Sequence, residues 1–306
     1  MIALTKIREL NLCAPASEGR PSHLSAASGL VCVKSFIYVV ADDELHLGVF
    51  HVDDDSPGDF IRLFAGVLPD PKAERKKEKP DLEALTLLPA YGDYPNGALL
   101  ALGSGSRRNR RFGALVGLSV EGAISGAAKA VDLSPILAPL EDAFSALNIE
   151  GAVVSGDELR LFQRGNKGHG ENAIVRYGLS SFLEAFNSNR TSAIRPSAIQ
   201  YFDLGHIDGV PFCFTDAAVL PDGEMIFTAV AEDTDDSYND GPCRAAAIGM
   251  AENDGRLRWL RRLEQPYKVE GIDARGAGDV IKLLLVTDAD DADIPAGLFS
   301  AVVLSV

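Results

Sequence analysis

The chain has 306 residues, 46% of them apolar, and a formal net charge of −15 at pH 7. The acidic balance argues against a nucleic-acid binder, because such proteins need a basic face to displace phosphate counterions. No stretch reaches the roughly 18 apolar residues of a membrane span, so no membrane interaction is expected. The four cysteines show no CxxC spacing, which argues against a zinc or redox site.

The first residues of the chain do not have the pattern of a secretory signal. Lys6, Arg8 and Glu9 lie inside the apolar pattern of the segment Met1–Leu12. A signal peptide instead has a charged segment, then an apolar core, then a cleavage site with small residues. The sequence therefore favours a cytoplasmic location.

Short apolar runs separated by Gly, Asp, Asn and Pro follow one another along the whole chain, a pattern typical of strands and turns. They group into five units, at about residues 28–66, 81–133, 148–205, 214–263 and 268–306. A helical segment, Ser180–Asn187, precedes the last strand of the third unit. The fifth unit contains only three strands, and the N-terminal segment Ala3–Leu10 is expected to supply its fourth.

Each unit opens with a small or acidic residue at the start of its first strand: Ser28, Glu83, Glu150, Asp216 and Glu270. Self-similarity at such a period indicates a repeat architecture. Four-stranded sheets repeated around an axis form a β-propeller, and closure by the N-terminal strand removes the open edge. The sequence therefore predicts a single all-β domain, a five-bladed β-propeller with four antiparallel strands per blade. Six blades are the alternative, with a weak blade in Ile174–Phe212, but that stretch lacks the opening residue.

The five opening residues are expected to ring the mouth of the central channel. Carboxylates held close together raise one another's pKa, and a cation would relieve their repulsion. Oxygen ligands in this number suit Ca²⁺, so Ser28, Glu83, Glu150, Asp216 and Glu270 are the predicted metal ligands. A water-filled, hydrogen-bonded channel without any metal is the alternative.

The openings of the repeats resemble those of the calcium-activated nucleotidase (apyrase) family. The likeness is carried by Ser28-Gly29-Leu30, Glu83-Ala84-Leu85, Glu150-Gly151-Ala152, Phe214-Thr215-Asp216 with the following Leu220-Pro221 and, most closely, Tyr267-Lys268-Val269-Glu270-Gly271-Ile272. It implies a five-bladed propeller whose central Ca²⁺ is held by one residue from each blade. The sequence departs from the family at Asp216, where the family has serine. The Glu-Gly-Ile motif is also similar to phytase-like esterase propellers, so the likeness does not fix a substrate.

Basic loops are predicted on the face that carries the ring, between the first two blades (Lys72–Lys79) and within the second and third. Guanidinium and ammonium groups suit phosphate or carboxylate oxygens, although such runs are often only solvated. The predicted substrate-binding residues are Arg107, Arg108, Arg110, Arg111, Arg164 and Lys167. A small anionic ligand is therefore the expected partner.

Acidic loops are predicted opposite the basic ones. An acid among Asp235, Asp236 and Asp290 could orient an attacking water, and His169 could protonate a leaving group. The sequence therefore predicts a Ca²⁺-dependent hydrolase of small phosphoesters or anhydrides at the channel mouth. The alternative is a non-catalytic ligand- or protein-binding propeller with a structural ion or water in its channel. No serine-hydrolase elbow, P-loop or HExxH motif supports another class of enzyme.

Overall fold

The structure is a computed structural model that describes residues 1–17, 19–169, 171–187, 193–235, 241–277 and 279–305. Within these ranges the strands form five four-stranded sheets and one two-stranded hairpin. Every pairing within the five sheets is antiparallel. The predicted all-β, five-bladed propeller is confirmed.

The chain begins with strand β1 (Thr5–Glu9), which precedes the first complete blade. The first blade contains β2 (Ala27–Val33), β3 (Phe36–Ala41), β4 (His46–His51) and β5 (Asp59–Arg62). Helix α1 (Lys72–Glu78) connects it to the second blade, where the sequence suggested a loop. The second blade contains β6 (Leu82–Leu88), β7 (Ala98–Gly103), β8 (Phe112–Leu118) and β9 (Ile124–Asp132). A 3₁₀ turn (Arg108–Arg110) lies between β7 and β8.

Helix α2 (Ser134–Leu137) and a 3₁₀ turn (Ala138–Leu140) lead into the third blade. That blade contains β10 (Ile149–Ser155), β11 (Glu158–Gln163), β12 (Asn172–Gly178) and β13 (Ala198–Phe202), with α3 (Leu179–Asn187) before β13. The hairpin of β14 (His206–Ile207) and β15 (Val210–Pro211) follows. The fourth blade contains β16 (Cys213–Val219), β17 (Met225–Glu232), β18 (Cys243–Ala251) and β19 (Leu257–Arg262). The fifth contributes β20 (Val269–Ala277), β21 (Val280–Thr287) and β22 (Gly297–Leu304).

The ring is closed at two levels. The inner strands β2, β6, β10, β16 and β20 each contact the next, and β20 contacts β2. The fifth blade has the order β20–β21–β22–β1, with Thr5 opposite Ser300. The N-terminal strand therefore supplies the missing fourth strand, as predicted.

The apolar core is divided into five layers, one between each pair of neighbouring blades. Between the third and fourth blades, the ring of Phe214 meets Phe162 and Phe227 edge-on at centroid distances of 5.2 and 4.9 Å. Such contacts add to the free energy of apolar burial and hold adjacent sheets in register around the axis. The blades thus form a rigid frame for the loops above the channel.

Each inner strand carries a β-bulge near its start. One extra residue is inserted there between two residues that pair with consecutive residues of the second strand. The bulged residues are Ser28, Glu83, Glu150, Thr215 and Glu270. A bulge changes the direction of the extra residue's side chain, so that this side chain does not follow the regular alternation of the strand. In the fourth blade, Phe214 pairs with Ala229 and Asp216 with Thr228. Our placement of Asp216 at this position was therefore wrong by one residue.

Candidate functional site

A cavity of about 130 Å³, partly open to solvent, lies where the inner strands begin. The bulged residues Ser28, Glu83, Glu150 and Glu270 line it, each from a different blade. The structure therefore brings together four of the five residues expected at the channel mouth. Their role as metal ligands stays a prediction.

The cavity wall is densely charged. Its described lining includes ten acidic and seven basic side chains and no aromatic ring. Sugars commonly rest on aromatic faces, whereas ions and phosphate groups need charged or hydrogen-bonding partners. The lining therefore favours a small charged ligand.

Arg164, the first residue after β11, joins carboxylates from three blades. Its Nη1 lies 3.1 Å from Glu150 Oε2 and 3.6 Å from Glu270 Oε2, and its Nη2 contacts Glu232. The side chain is only 11% exposed. Burial disfavours its charge, but the surrounding carboxylates outweigh burial and raise the pKa of Arg164. The guanidinium is thus an internal counter-ion for two of the predicted metal ligands.

Two lysines also act as counter-ions to acids in the cavity wall. Lys268 Nζ lies 2.6 Å from Asp290 Oδ1, 3.6 Å from Asp288 Oδ2 and 3.7 Å from Glu270 Oε1. Between the first two blades, Lys79 Nζ lies 2.9 Å from Asp81 Oδ1 and contacts Asp42. Acids and cations therefore alternate around the mouth.

The repeat also generates a second set of equivalent positions, of which sequence reasoning singled out only Arg164. In four blades, the residue just past the second strand donates its N–H to the carbonyl two residues before the bulge. These residues are Asp42, Ser104, Arg164 and Asp288. All except Ser104 line the cavity. The end of the apolar run identifies only Asp42, because Gly103, Gln163 and Thr287 separate the other three from the last apolar residue of their strands.

Four acids at the mouth, Glu83, Glu150, Glu270 and Asp288, have raised pKa values. Burial is the largest cause, and it raises the pKa of Glu83 and Glu150; neighbouring carboxylates add to the effect. Burial also raises the pKa of Glu270 to about 8 and that of Asp288 to about 7, although Lys268 acts in the opposite direction on both. The pKa values of Glu270 and Asp288 therefore lie near neutral pH, the range in which catalytic acids and bases work.

Asp216 lies deeper in the channel and does not line the cavity. At the equivalent place the other blades have Gly29, Ala84, Gly151 and Gly271. Its Oδ2 accepts the N–H of Ile272 at 2.9 Å, whereas its buried Oδ1 has no hydrogen-bond partner among the described residues. Burial raises the pKa of Asp216 well above its ordinary value. Asp216 thus fills the channel beneath the cavity.

Thr215 occupies the bulge in the fourth blade, but its side chain is turned into the protein. Its Oγ1 donates to the carbonyl of Val269 at 2.7 Å and lies 2.8 Å from Thr228 Oγ1. Thr215 is fully buried and is not part of the cavity lining. The fourth blade therefore contributes no bulged side chain to the cavity.

The predicted substrate-binding residues divide between the cavity and the surface. Arg164 and the buried Arg110 line the cavity, and Arg110 Nη1 is held 2.7 Å from Asp81 Oδ2. Arg107 and Arg108 are exposed and lie outside the lining. Arg111 pairs with Glu141, and the exposed Lys167 pairs with Asp233 at 2.9 Å; neither lines the cavity.

Of the predicted catalytic residues, the structure places only Asp290 at the cavity, where Lys268 holds it. His169 is exposed, and its Nδ1 lies 3.1 Å from Ser145 Oγ. His169 and the exposed Asp235 lie outside the lining. Asp236 is outside the described residues.

The chain belongs to a family described as "Family of unknown function (DUF6929)", whose model matches residues 23–303. No curated protein matches the chain.

Solved structures with the same fold include a provisionally named glycoside hydrolase of Parabacteroides distasonis, which is 12% identical with a TM-score of 0.50 over 98% of this chain and 97% of that one. The PQQ-bound aldose sugar dehydrogenase of Streptomyces coelicolor is 13% identical, with a TM-score of 0.46 over 98% of both chains. A luciferin-regenerating enzyme is 10% identical, with a TM-score of 0.42 over 92% of both.

At these identities the likeness concerns the propeller fold alone, since one such fold carries many unrelated functions. Among the helices in the described ranges, none has the length and apolar character needed to cross a bilayer.

Proposed function

We propose that the protein is a Ca²⁺-dependent hydrolase that cleaves small phosphoesters or phosphoanhydrides in the cavity at the channel mouth. One observation carries the proposal: bulges in four separate blades turn Ser28, Glu83, Glu150 and Glu270 into a single cavity. An oxygen-rich set of this kind has the chemistry of a hard-cation site.

The donor set fits Ca²⁺ on a further point. Glu270 Oε1 is buried and accepts no hydrogen bond from the described residues, which leaves a lone pair facing a charged cavity. A neighbouring group of acids, Asp42, Asp81 and Glu83, places one carboxylate oxygen each within 4.8 Å of the other two, and Glu83 is the member that it shares with the predicted ligands. Glu83, Glu150 and Glu270 would hold the ion, with the hydroxyl of Ser28 as a fourth donor.

A bound Ca²⁺ would supply Lewis-acid polarisation of a phosphoryl oxygen. Asp288 is suited to accept a proton from the attacking water, because its carboxyl lines the cavity with a pKa of about 7. Lys268, between Asp288 and Glu270, would hold the ionised carboxylates in place and offset charge that develops on the phosphoryl oxygens. Arg164 would keep Glu150 and Glu270 oriented toward the cavity.

A specific observation favours the alternative, a non-catalytic binding propeller. Arg164 and Lys268 already neutralise part of the charge on Glu150 and Glu270 without any metal. If the acids serve only to form these ion pairs, the cavity holds water and a ligand, and the network of ion pairs has a structural role. The two functions differ in one measurable respect, because only the hydrolase has a turnover that depends on Ca²⁺.

The direct test is phosphate release from nucleoside di- and triphosphates, sugar phosphates and phytate, with Ca²⁺ and then with a chelator. We expect Ca²⁺-dependent release that is lost in the double variant Glu150→Gln/Glu270→Gln. Glu252→Gln, which removes an acid on the outer turn between β18 and β19, is the matched control and should retain activity. Turnover that persists in the double variant or in chelator would refute the proposal.

Proton linkage gives a second test. With a pKa of about 8, Glu270 carries a proton in most molecules at pH 7, and Ca²⁺ would have to displace it. The affinity for Ca²⁺ should therefore rise with pH between 6 and 8 and level off above. Calorimetry in buffers of different ionisation enthalpy would count the protons released, and Glu270→Gln should lower that count.

A further inference from the structure

The guanidinium of Arg164 bridges two of the predicted metal ligands. Its Nη1 lies 3.1 Å from Glu150 Oε2 and 3.6 Å from Glu270 Oε2, so one amino group contacts carboxylates of the third and fifth blades. A Ca²⁺ ion binds carboxylate oxygens at about 2.3–2.6 Å. An ion shared by these two carboxylates would therefore compete with Nη1 for the same oxygens, and the two positive charges would repel each other.

The other amino group of Arg164 is held by the fourth blade. Nη2 contacts Glu232, whose side chain is 7% exposed. The second oxygen of that carboxylate, Oε1, accepts the N–H of Gly241 at 2.7 Å. Because a backbone N–H keeps Glu232 in place, the contact of Nη2 can persist when Nη1 leaves its own partners.

Only the side chain of Arg164 has to move in such an exchange. Its N–H donates to the carbonyl of Asn148 at 2.8 Å, and its carbonyl accepts from Gln163 Nε2 at 2.7 Å, so the backbone is fixed. Thr215, at the position of the bulged residue in the fourth blade, is turned away from the cavity. Among the described residues of that blade, Glu232 is the single carboxylate in the lining.

Glu270 keeps one oxygen free while Arg164 is in place. Its Oε1 is buried and accepts no hydrogen bond from the described part of the chain, and Lys268 Nζ lies 3.7 Å from it. A buried carboxylate oxygen without a donor favours an incoming cation. The bridged oxygens of Glu150 and Glu270 thus lie beside an oxygen at which a cation can first bind.

We propose that Arg164 is an internal cation that occupies the metal site in the resting protein and withdraws to Glu232 when a divalent cation binds Glu150 and Glu270. Until then, the guanidinium keeps both carboxylates oriented toward the cavity. The exchange sets the affinity for the metal, and it gives the departure of the fourth blade from the repeat a role. The inference rests on the proposed function for the identity of the metal site, but the exchange needs neither substrate nor turnover.

The first test compares Ca²⁺ affinity by calorimetry in the unsubstituted chain and in Arg164→Lys. At about pH 9, above the pKa of about 8 of Glu270, that carboxyl is mostly ionised. Lysine conserves the charge but lacks the fork that joins three carboxylates, so a through-space effect alone predicts an unchanged affinity. Exchange predicts binding about tenfold tighter, equivalent to about 1.4 kcal/mol.

Arg160→Lys is the matched control for Arg164→Lys. Arg160 is a buried arginine four residues earlier, and it contacts Glu158 and Asn253 outside the cavity lining. Its substitution should leave the affinity for Ca²⁺ unchanged within error. Thermal denaturation without Ca²⁺ would show whether each variant is folded.

The second test observes the guanidinium directly in the unsubstituted chain and needs no variant. Nitrogen-15 NMR of arginine side chains resolves the Nε–H group, which can be assigned through the backbone of the same residue. Ca²⁺ should shift the resonance of Arg164 and leave that of Arg160 in place. This readout decides the matter even if Arg164→Lys does not fold.

Three results would overturn the inference: equal Ca²⁺ affinity in Arg164→Lys and the unsubstituted chain, a resonance of Arg164 that Ca²⁺ leaves unchanged, or no binding of Ca²⁺ to either protein. The inference and the proposed function fail in different ways. Exchange without Ca²⁺-dependent phosphate release leaves the inference standing and removes the proposed function. Ca²⁺-dependent release with an unmoved guanidinium does the reverse.

Discussion

The mouth and the interior of the channel both contain carboxyl groups removed from solvent, but the two regions compensate their burial differently. At the mouth, Glu150 and Glu270 are each 4% exposed and share the guanidinium of Arg164. In the interior, Asp216 is 1% exposed, and its Oδ2 accepts a hydrogen bond from the backbone N–H of Ile272. A cation can be exchanged for a metal or moved by a ligand, whereas a backbone amide cannot. The partner of the buried carboxylates can therefore be exchanged at the mouth, whereas the partner of Asp216 in the interior is fixed.

The largest effect is expected when the counter-ion at the mouth is removed. Arg164→Met would leave Glu150, Glu232 and Glu270 buried without their shared partner, and loss of one member of a buried ion pair costs about 3–5 kcal/mol. Urea denaturation at neutral pH should show this loss of stability. The difference from the unsubstituted chain should shrink as the pH falls and the carboxyls become protonated.

Lys167→Met is the matched control for Arg164→Met. Lys167 lies three residues further along the same loop and pairs with Asp233 at the surface, so its loss should leave stability unchanged within error. Added Ca²⁺ should recover part of the stability of Arg164→Met, since an ion that binds only the native state stabilises it. Equal stability of the two variants would show that the network at the mouth contributes nothing.

A smaller, pH-dependent effect is expected in the interior. Burial, with a smaller contribution from Glu270, raises the pKa of Asp216 above its ordinary value of 3.8, so the unfolded chain ionises this group first. Its contribution to stability is complete below that value and is lost as the pH rises toward the folded pKa, at about 1.4 kcal/mol per pKa unit.

Asp216→Asn cannot ionise, and its stability should therefore fall less between pH 4 and 8 than that of the unsubstituted chain. Parallel stability curves over this range, measured by denaturation at each pH, would contradict the assignment of Asp216 as a buried acid. Ca²⁺ affinity should be the same in both proteins, because Asp216 does not line the cavity.

The smallest effect concerns Thr215, which marks the border between the two regions. Thr215→Val removes a buried hydrogen bond to the carbonyl of Val269 and should cost about 1 kcal/mol. Ca²⁺ affinity measured by calorimetry should not change, since the hydroxyl is turned into the protein. A large loss of affinity would instead place Thr215 among the ligands and join the two regions into one site.

The repeat made most of the fold predictable. Four units contain four short apolar runs each and the fifth contains three, with the N-terminal segment as its fourth. The blades could therefore be counted without deciding which side chains of a strand face the core. The bulge is different, because it inserts a residue that period-2 patterning cannot locate. In Phe214-Thr215-Asp216, the acidic residue matched the other units in charge, but the backbone pairing places Thr215 in the bulge.

The arrangement of the charged residues in the site was harder to predict from the sequence than the strands that carry them. Arg110 looked like a surface loop residue, yet it is buried against Asp81. Lys72–Lys79 reads as a basic loop because Pro71 and Pro80 flank it, although its spacing of basic residues also fits one helical face. Which cation pairs with which acid depends on contacts between blades, and those are set by ring geometry rather than by local sequence.

The pairing of β1 with β22 has a consequence for synthesis. Thr5 and Ser300 are neighbours in one sheet, so β1 leaves the ribosome almost three hundred residues before the strand with which it pairs. Contacts of such sequence separation form slowly, and unpaired strand edges attract other chains meanwhile. The first four blades can assemble during translation, whereas the fifth is complete only when β22 pairs with β1, which was synthesised long before it. A nascent chain stalled before β22 would therefore expose a ring with a gap.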